Sequence, residues 1–414
     1  MSLLVKRADG ATGWGGDYRA LCGAFNASHT VYADEPHPGV SAIAADGTTN
    51  DAAALQAQLD YVKSTWGAGR VVLPSGRSVK CSAGLTIPTK VQLDYSGATL
   101  DQSGISTTSG VGVTVNDADF TPIVGTGGLI IGPSGDPRTT PSNTADVSVG
   151  VKITGNGLMF SDLNVRSFGR GVDTAQSNTW SLTFRGGRIF QCYYNIWADN
   201  DADVASNAGE SIVFDGMSIF NAVRGMRICG NGISAFFDHC RIDYLLTRFG
   251  ELQDARVHFT DCHIEVGNTQ IAHLFDVDKN AHVYFGDCYV LMGAGSPNIT
   301  FYLFDPAKAP WNINFGGARF ENTSIYYVNP SGSGSEQEST LMVDLPANVT
   351  TATFHTPYPI RWCPVTAQFA STDTTRVGNF DQVYVTWTDA TTGNITITAS
   401  ASSASVRKVR IKFG

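Results

Sequence analysis

The chain has little charge and no long apolar run. Asp, Glu, Lys and Arg make up 16% of its 414 residues, well under the usual quarter. That balance, with 44 Gly, suits a turn-rich β protein with Ser, Thr and Asn on its faces. A net charge of −9 argues against nucleic acid as the main partner, and an acidic polymer would need a local basic patch. No segment approaches a membrane span, and the first thirty residues lack the charged start and apolar stretch of a secretory signal. Neither membrane insertion nor ordinary secretion is expected. A nucleophile elbow, a P-loop, a dinucleotide fingerprint and His/Cys metal spacing are also missing. The leucine spacing and Asn ladder of a leucine-rich repeat are absent too.

What is present is a repeat. A Phe, a two-residue polar or glycine corner, a small apolar residue, a spacer and a final apolar residue recur seven times, beginning at Phe160, Phe184, Phe214, Phe237, Phe259, Phe285 and Phe315. The spacing from Phe to Phe is 24, 30, 23, 22, 26 and 30 residues. A period in this range with strand-like units predicts a solenoid of stacked coils. Alternate residues of a strand share a face, so two buried positions three apart require a turn between them. The corner column (Asp162, Gly186, Gly216, His239, Asp261, Asp287 and Gly317) consists mostly of residues that tolerate a left-handed backbone. His239 is read as structural for that reason. A further apolar position seven residues after the final one (Val172, Ile196, Met226, Phe249, with Ile271 in the next coil) predicts a third strand per coil. Three strands per coil at this length fit a right-handed parallel β-helix. Cys240, Cys262 and Cys288 share one inward column and are expected to be buried thiols acting as small hydrophobes, not disulfides.

Three regions follow from changes in pattern. Residues 1–43 carry little periodicity and read as an attachment segment. The β-helix spans 44–330. It opens with Asp46-Gly-Thr-Thr-Asn-Asp51, then an Ala- and Leu-rich helix that Asn50 or Asp51 can cap, with Leu55, Leu59 and Val62 on one side. Gly69-Arg-Val-Val-Leu-Pro-Ser-Gly76 follows, with short strands near Val79, Leu85 and Val91. A capping helix shields the apolar interior and open strand edges at the end of a solenoid. Residues 331–414 begin with a flexible Gly/Ser joint and continue with alternating segments that predict an antiparallel β-sandwich.

Asp-Gly, an acidic step, an Ala-rich helix and Gly-x-Val-x-Leu-Pro-x-Gly together resemble the opening of the pectate-lyase-like β-helix family, which includes bacteriophage tailspikes. The stretch Thr353-Phe-His-Thr-Pro-Tyr-Pro359 is similar to the C-terminal tip domains of phage tail fibres. The resemblance covers roughly residues 44–330 and implies an all-β, right-handed parallel β-helix with an N-terminal capping helix and a C-terminal antiparallel β-sandwich. It further implies a homotrimer on a virion tail, joined to other tail or baseplate proteins through its N-terminus. Such a trimer would bind a bacterial surface polysaccharide, a capsule or O-antigen, and act on it as a glycosidase-type depolymerase.

Cleavage of a glycan by hydrolysis needs two carboxylates facing one groove, and stacked coils supply workable separations. The third-strand region holds the candidates. Ile196-Trp-Ala-Asp199 opens the longest insertion, which runs to Glu210, and later coils add Arg227, Glu251, His273 and Asp276. Asp199, Asp201, Glu251 and Asp276 are the candidate catalytic acids. Trp197, Arg227 and His273 are the candidate substrate-binding residues, with Trp197 and Arg227 pointing outward in adjacent coils as a sugar platform with an anion handle. Asp199, Asp201, Asp203 and Glu210 also match positions 1, 3, 5 and 12 of a calcium loop, although Val204 stands where glycine belongs. No cofactor is required, with calcium as the one candidate. Three alternatives remain: a lyase acting on a uronate-containing glycan, in which Arg227 and the acidic loop become central; a non-enzymatic glycan-binding module; and a structural virion spacer. His258, His263 and His282 are assigned no role.

Overall fold

In a computed structural model the chain is described at residues 29–135, 146–200, 208–230, 232–266, 273–278, 281–292, 299–303, 312–314, 319–321, 325–326, 339–355, 365–369, 382–389 and 394–413. The strand His273–Asp278 and those from Ile299 to Tyr326 are described by their backbone alone.

The repeat winds into a parallel β-solenoid with three faces. The first face stacks strands such as Ile212–Asp215, Ser234–Asp238, Arg256–Thr260 and His282–Gly286, and the second stacks Ser218–Phe220, Arg241–Asp243, His263–Val266 and Tyr289–Met292, all in parallel. Two long strands, Met159–Arg166 and Leu182–Phe190, run through both faces, which merge into one 23-stranded sheet. The third face is a 10-stranded sheet that includes Arg170–Asp173, Tyr194–Asp199, Arg224–Cys229 and Arg248–Gln253.

The conserved spacing within each repeat has a direct physical outcome. Phe160, Phe184, Phe214, Phe237, Phe259 and Phe285 stand in register on successive coils. Their rings stack with centroids 4.8, 4.8, 4.8, 4.9 and 5.2 Å apart, the strand spacing of a sheet. At the corner, Asp162, Gly186, Gly216, His239, Asp261 and Asp287 all take φ between 50° and 65°, as the residue types in that column require. His239 thus belongs to the backbone geometry. Cys240, Cys262 and Cys288 are buried free thiols, and their Sγ atoms donate to the carbonyls of Phe214, Phe237 and Phe259 at 3.2, 3.1 and 3.3 Å. Gly317 and Phe315, in the seventh copy, lie outside the described residues.

The opening motif closes the solenoid. The helix Ala52–Trp66 buries Leu55, Leu59 and Val62 completely against the first coils; each such side chain contributes about 1.5–3 kcal/mol. Asn50 Oδ1 accepts from the Ala52 and Ser82 amides at 3.3 and 3.0 Å. Asp51 turns away from the helix and accepts from the Ala44 and Ala45 amides, so it ties down the incoming chain instead of capping. Gly69 is forced by proximity: a Cβ there would lie 2.5 Å from the His29 carbonyl oxygen.

Two details depart from the sequence reading. Thr30–Tyr32 already pairs with Gly69–Val72 on the first face, inside the segment read as an attachment; residues 1–28 lie outside the described residues. The third-face column also slips by one, because Gly250, not Phe249, is the register partner of Met226, and Phe275 follows it. The corner after Ile242 carries one more residue than the corner after Ile219, and Phe249 still turns inward to meet Phe259 edge-on. Ile271 lies outside the described residues.

Ser339–Leu345 still meets Arg319–Glu321 in parallel on one edge, and the remaining pairings from there on are antiparallel. Arg407–Phe413 lies between Ser339–Leu345 and Val365–Phe369, while Asn394–Ala399 lies between Thr351–His355 and Val383–Asp389. Val343, Phe369, Val409, Ile395 and Ile397 are buried between these strands. No helix is long and apolar enough to cross a membrane among the described residues.

Candidate functional site

The third face carries side chains in an order that strict strand alternation does not give. In four successive coils, residues three apart meet on the same outer side: Arg170 with Asp173 (2.9 Å), Tyr194 with Trp197 (ring centroids 4.9 Å), Arg224 with Arg227 across the shared carboxylate of Glu251, and Arg248 with Glu251 (3.3 Å). The residue after the first of each pair is Gly171, Asn195, Gly225 or Phe249, and all four are buried. At Gly225 a Cβ would meet the Phe249 carbonyl oxygen at 2.4 Å. The chain therefore bends inward there and returns both partners of the pair to the outside.

Register then stacks the pairs into two columns. Arg170, Tyr194, Arg224 and Arg248 form one, continued by the backbone of His273. Asp173, Trp197, Arg227 and Glu251 form the other, continued by the backbone of Asp276. The expected outward pair Trp197 and Arg227 is thus adjacent, with Glu251 in the next coil. The side chains of His273 and Asp276, and all of Asp201 and Asp203, lie outside the described ones. Glu210 is described and exposed, on the far side of that gap.

The ionic bonds run across the columns. Arg227 donates from Nε to Asp199 and from Nη1 to Glu251. Glu251 also receives Arg224, Arg248 and, at 3.1 Å, the Tyr194 hydroxyl, which in turn accepts from Arg224 Nη1 at 2.6 Å. Burial, and then the Glu251 charge, push the Tyr194 phenol up to about 12, which keeps it a neutral donor. Trp197 sits between two arginines: the guanidinium carbon of Arg170 lies 3.8 Å from its ring centroid and that of Arg227 5.4 Å. Such contacts contribute about 0.5–2 kcal/mol each.

Exposure is divided by charge. The side chains of Asp173, Asp199 and Glu251 are 3%, 0% and 8% exposed, whereas those of Arg170, Arg224, Arg227 and Arg248 are 20%, 27%, 29% and 29% exposed. Water and any ligand therefore meet guanidinium edges and aromatic rims, with the balancing carboxylates beneath. No hydrogen-bond acceptor serves Nη2 of Arg224 or Arg227 among the described residues. Asp199, expected as an acid or a calcium ligand, is held under Arg227; a calcium ion at this loop would have to displace that guanidinium.

A second cluster lies on the second face and was not singled out from sequence. Asp243 and Glu265 are register partners on adjacent coils, and His263 shares the strand of Glu265. One donor atom from each of the three falls within 4.8 Å of the others. The Asp243 side chain is only 4% exposed and takes Arg241 Nε on Oδ2, while its Oδ1 is buried without a hydrogen-bond partner among the described residues. Burial raises the Asp243 carboxyl above the usual range against the opposing pull of Arg241. The repeat itself could have found this pair, since both acids stand six residues after the Phe of their coil.

No protein-family profile and no curated protein matches the chain. Among solved structures, it is similar to the tailspike protein of E. coli bacteriophage HK620 in complex with a pentasaccharide, at 12% identity over 94% of both chains with a TM-score of 0.35. A variant of the same tailspike in complex with a hexasaccharide matches at 13% over 99% of this chain and 98% of that one, also with a TM-score of 0.35. The Dettilon tailspike protein matches at 11% over 94% of both chains with a TM-score of 0.33. At these scores the likeness says nothing about the site, and the parallel β-helix of this chain rests on its own strand register.

Proposed function

We infer that the chain is a tailspike-type receptor-binding module that grips an acidic bacterial surface polysaccharide along its third face. The observation that carries this reading is the division of exposure by charge: four partly exposed arginines over three buried carboxylates, with Tyr194 and Trp197 between them. The planar guanidinium fork suits bidentate capture of carboxylate or phosphate, and aromatic rims suit the apolar faces of sugar rings. With a net charge of −9, the chain as a whole does not attract anions, so capture of an acidic polymer needs a local cationic face such as this one. The opening motif and the tip-like stretch support the tailspike assignment, with three chains associating and the module carried on a virion tail.

Binding without cleavage is the reading favoured here. Hydrolysis needs a carboxyl free to donate a proton and a second to activate water or attack the sugar. Asp199 and Glu251 are instead engaged by arginines, and Asp201 and Asp276 would have to supply the chemistry. A panel of capsular and O-antigen polysaccharides, scored for binding and for release of reducing ends, tests this. Binding of acidic members without new ends is the expected result, new ends would restore the depolymerase, and no binding at all would overturn the reading.

A further inference from the structure

We propose that Asp243, His263 and Glu265 form a binding site for one divalent transition-metal cation, of the zinc or manganese type. The fold builds the site from two adjacent coils: register sets Asp243 beside Glu265, and strand alternation puts His263 on the same outer side two residues earlier. Donor atoms within 4.8 Å of one another need close in by only a few tenths of an ångström for a single ion to reach all three with bonds of about 2.0–2.2 Å, a shift open to the partly exposed His263 and Glu265 side chains. The donor set of one imidazole nitrogen and two carboxylate oxygens selects the ion. Calcium and magnesium prefer oxygen alone, whereas zinc and manganese accept this mixture.

The independent observation is Asp243 Oδ1. It belongs to a side chain 4% exposed, and no donor among the described residues satisfies it, a condition that folded proteins rarely leave standing. Arg241 holds the other oxygen and so fixes the direction in which Oδ1 points, the supporting role that outer partners play around metal ligands. Glu265 receives a comparable, weaker support from the Tyr244 hydroxyl at 3.5 Å. Two carboxylates against Arg241 leave one negative charge, which attracts a dication and leaves the occupied cluster with a single positive charge. His263 and Glu265 side chains are 40% and 23% exposed, so an ion has a way in. Once bound, it would clamp two coils together, whatever glycan the third face takes.

The full chain, stripped with chelator and dialysed, is titrated calorimetrically with zinc, manganese and calcium chlorides. Saturable uptake of one zinc or manganese per chain is expected, with calcium far weaker. His263→Ala and Asp243→Asn should each lower the affinity at least about tenfold, while His258→Ala, on the first face, leaves it unchanged. Absence of saturable uptake, or uptake that survives both ligand substitutions, overturns the proposal. If either variant fails to fold by circular dichroism, cobalt(II) added to the unaltered chain decides. Visible bands of mixed nitrogen and oxygen coordination support the site, and their absence rejects it.

Discussion

Arg227 and Glu251 are register partners on adjacent coils, and Arg227 Nη1 donates to Glu251 while its Nε reaches back to Asp199 in the preceding coil. One guanidinium thus bridges two buried carboxylates. Removing one partner of a buried pair leaves an uncompensated charge, a loss of about 3–5 kcal/mol. Arg227 is partly exposed, so Arg227→Ala should fall near about 3 kcal/mol in urea unfolding. Adding Asp199→Asn should recover part of that loss. If the double variant were no more stable than the single one, Asp199 would not be the group that Arg227 holds.

The phenylalanine column is the spine of the interior. Phe237 is fully buried and stacked between Phe214 and Phe259 at 4.8 and 4.9 Å. Phe237→Ala should cost about 3–5 kcal/mol, and Phe237→Leu, which keeps most of the volume, about 1–1.5 kcal/mol. Thermal melts of the two variants check the order. Equal effects would mean that the loss comes from the ring stack and not from the space that Phe237 fills.

Buried thiols should be inert. Burial pushes Cys81 and Cys192 up to about 12, and the hydrogen bond with Cys240 together with burial does the same for Cys262. Thiolate is the reactive form, so iodoacetamide at pH 8 should leave the six described cysteines of the native chain unlabelled. All eight should label in denaturant. Mass spectrometry that found native labelling at Cys240, Cys262 or Cys288 would contradict the ladder.

The Phe, corner and cysteine columns were legible in the sequence because each is set by contacts that repeat from coil to coil. Trp197 and Arg227 were legible as outward neighbours for the same reason, but their register with Glu251 and Asp276 was not, because the extra residue after Ile242 shifts the column by one. Arg170, Arg224 and Arg248 were not, since strict alternation sends Arg224 to the same side as Met226; the inward bend at Gly225 reverses this, and bends of that kind depend on how close the next coil comes. The burial of Asp199 was hidden too. Its strand parity is outward, and the long Arg227 side chain of the following coil lies against it. Asp243 and Glu265 were aligned by the repeat, but the desolvation that marks Asp243 comes from packing that residue spacing does not encode.

Association can be measured directly. The tip-like C-terminal stretch supports three chains per particle, so light scattering should give three times the monomer mass at micromolar concentration. A monomeric mass would remove the tail-fibre reading while leaving the arginine face in place.

The acidic-glycan reading is tested most directly by changing only the charge of the ligand. An acidic capsular polysaccharide that binds the chain is compared with the same polymer after its carboxyl groups are reduced to alcohols, using calorimetry or surface plasmon resonance. The arginines of the third face should make the reduced polymer bind at least about tenfold more weakly, because charge-assisted hydrogen bonds are roughly twice as strong as neutral ones. Equal affinity for the two forms would contradict it.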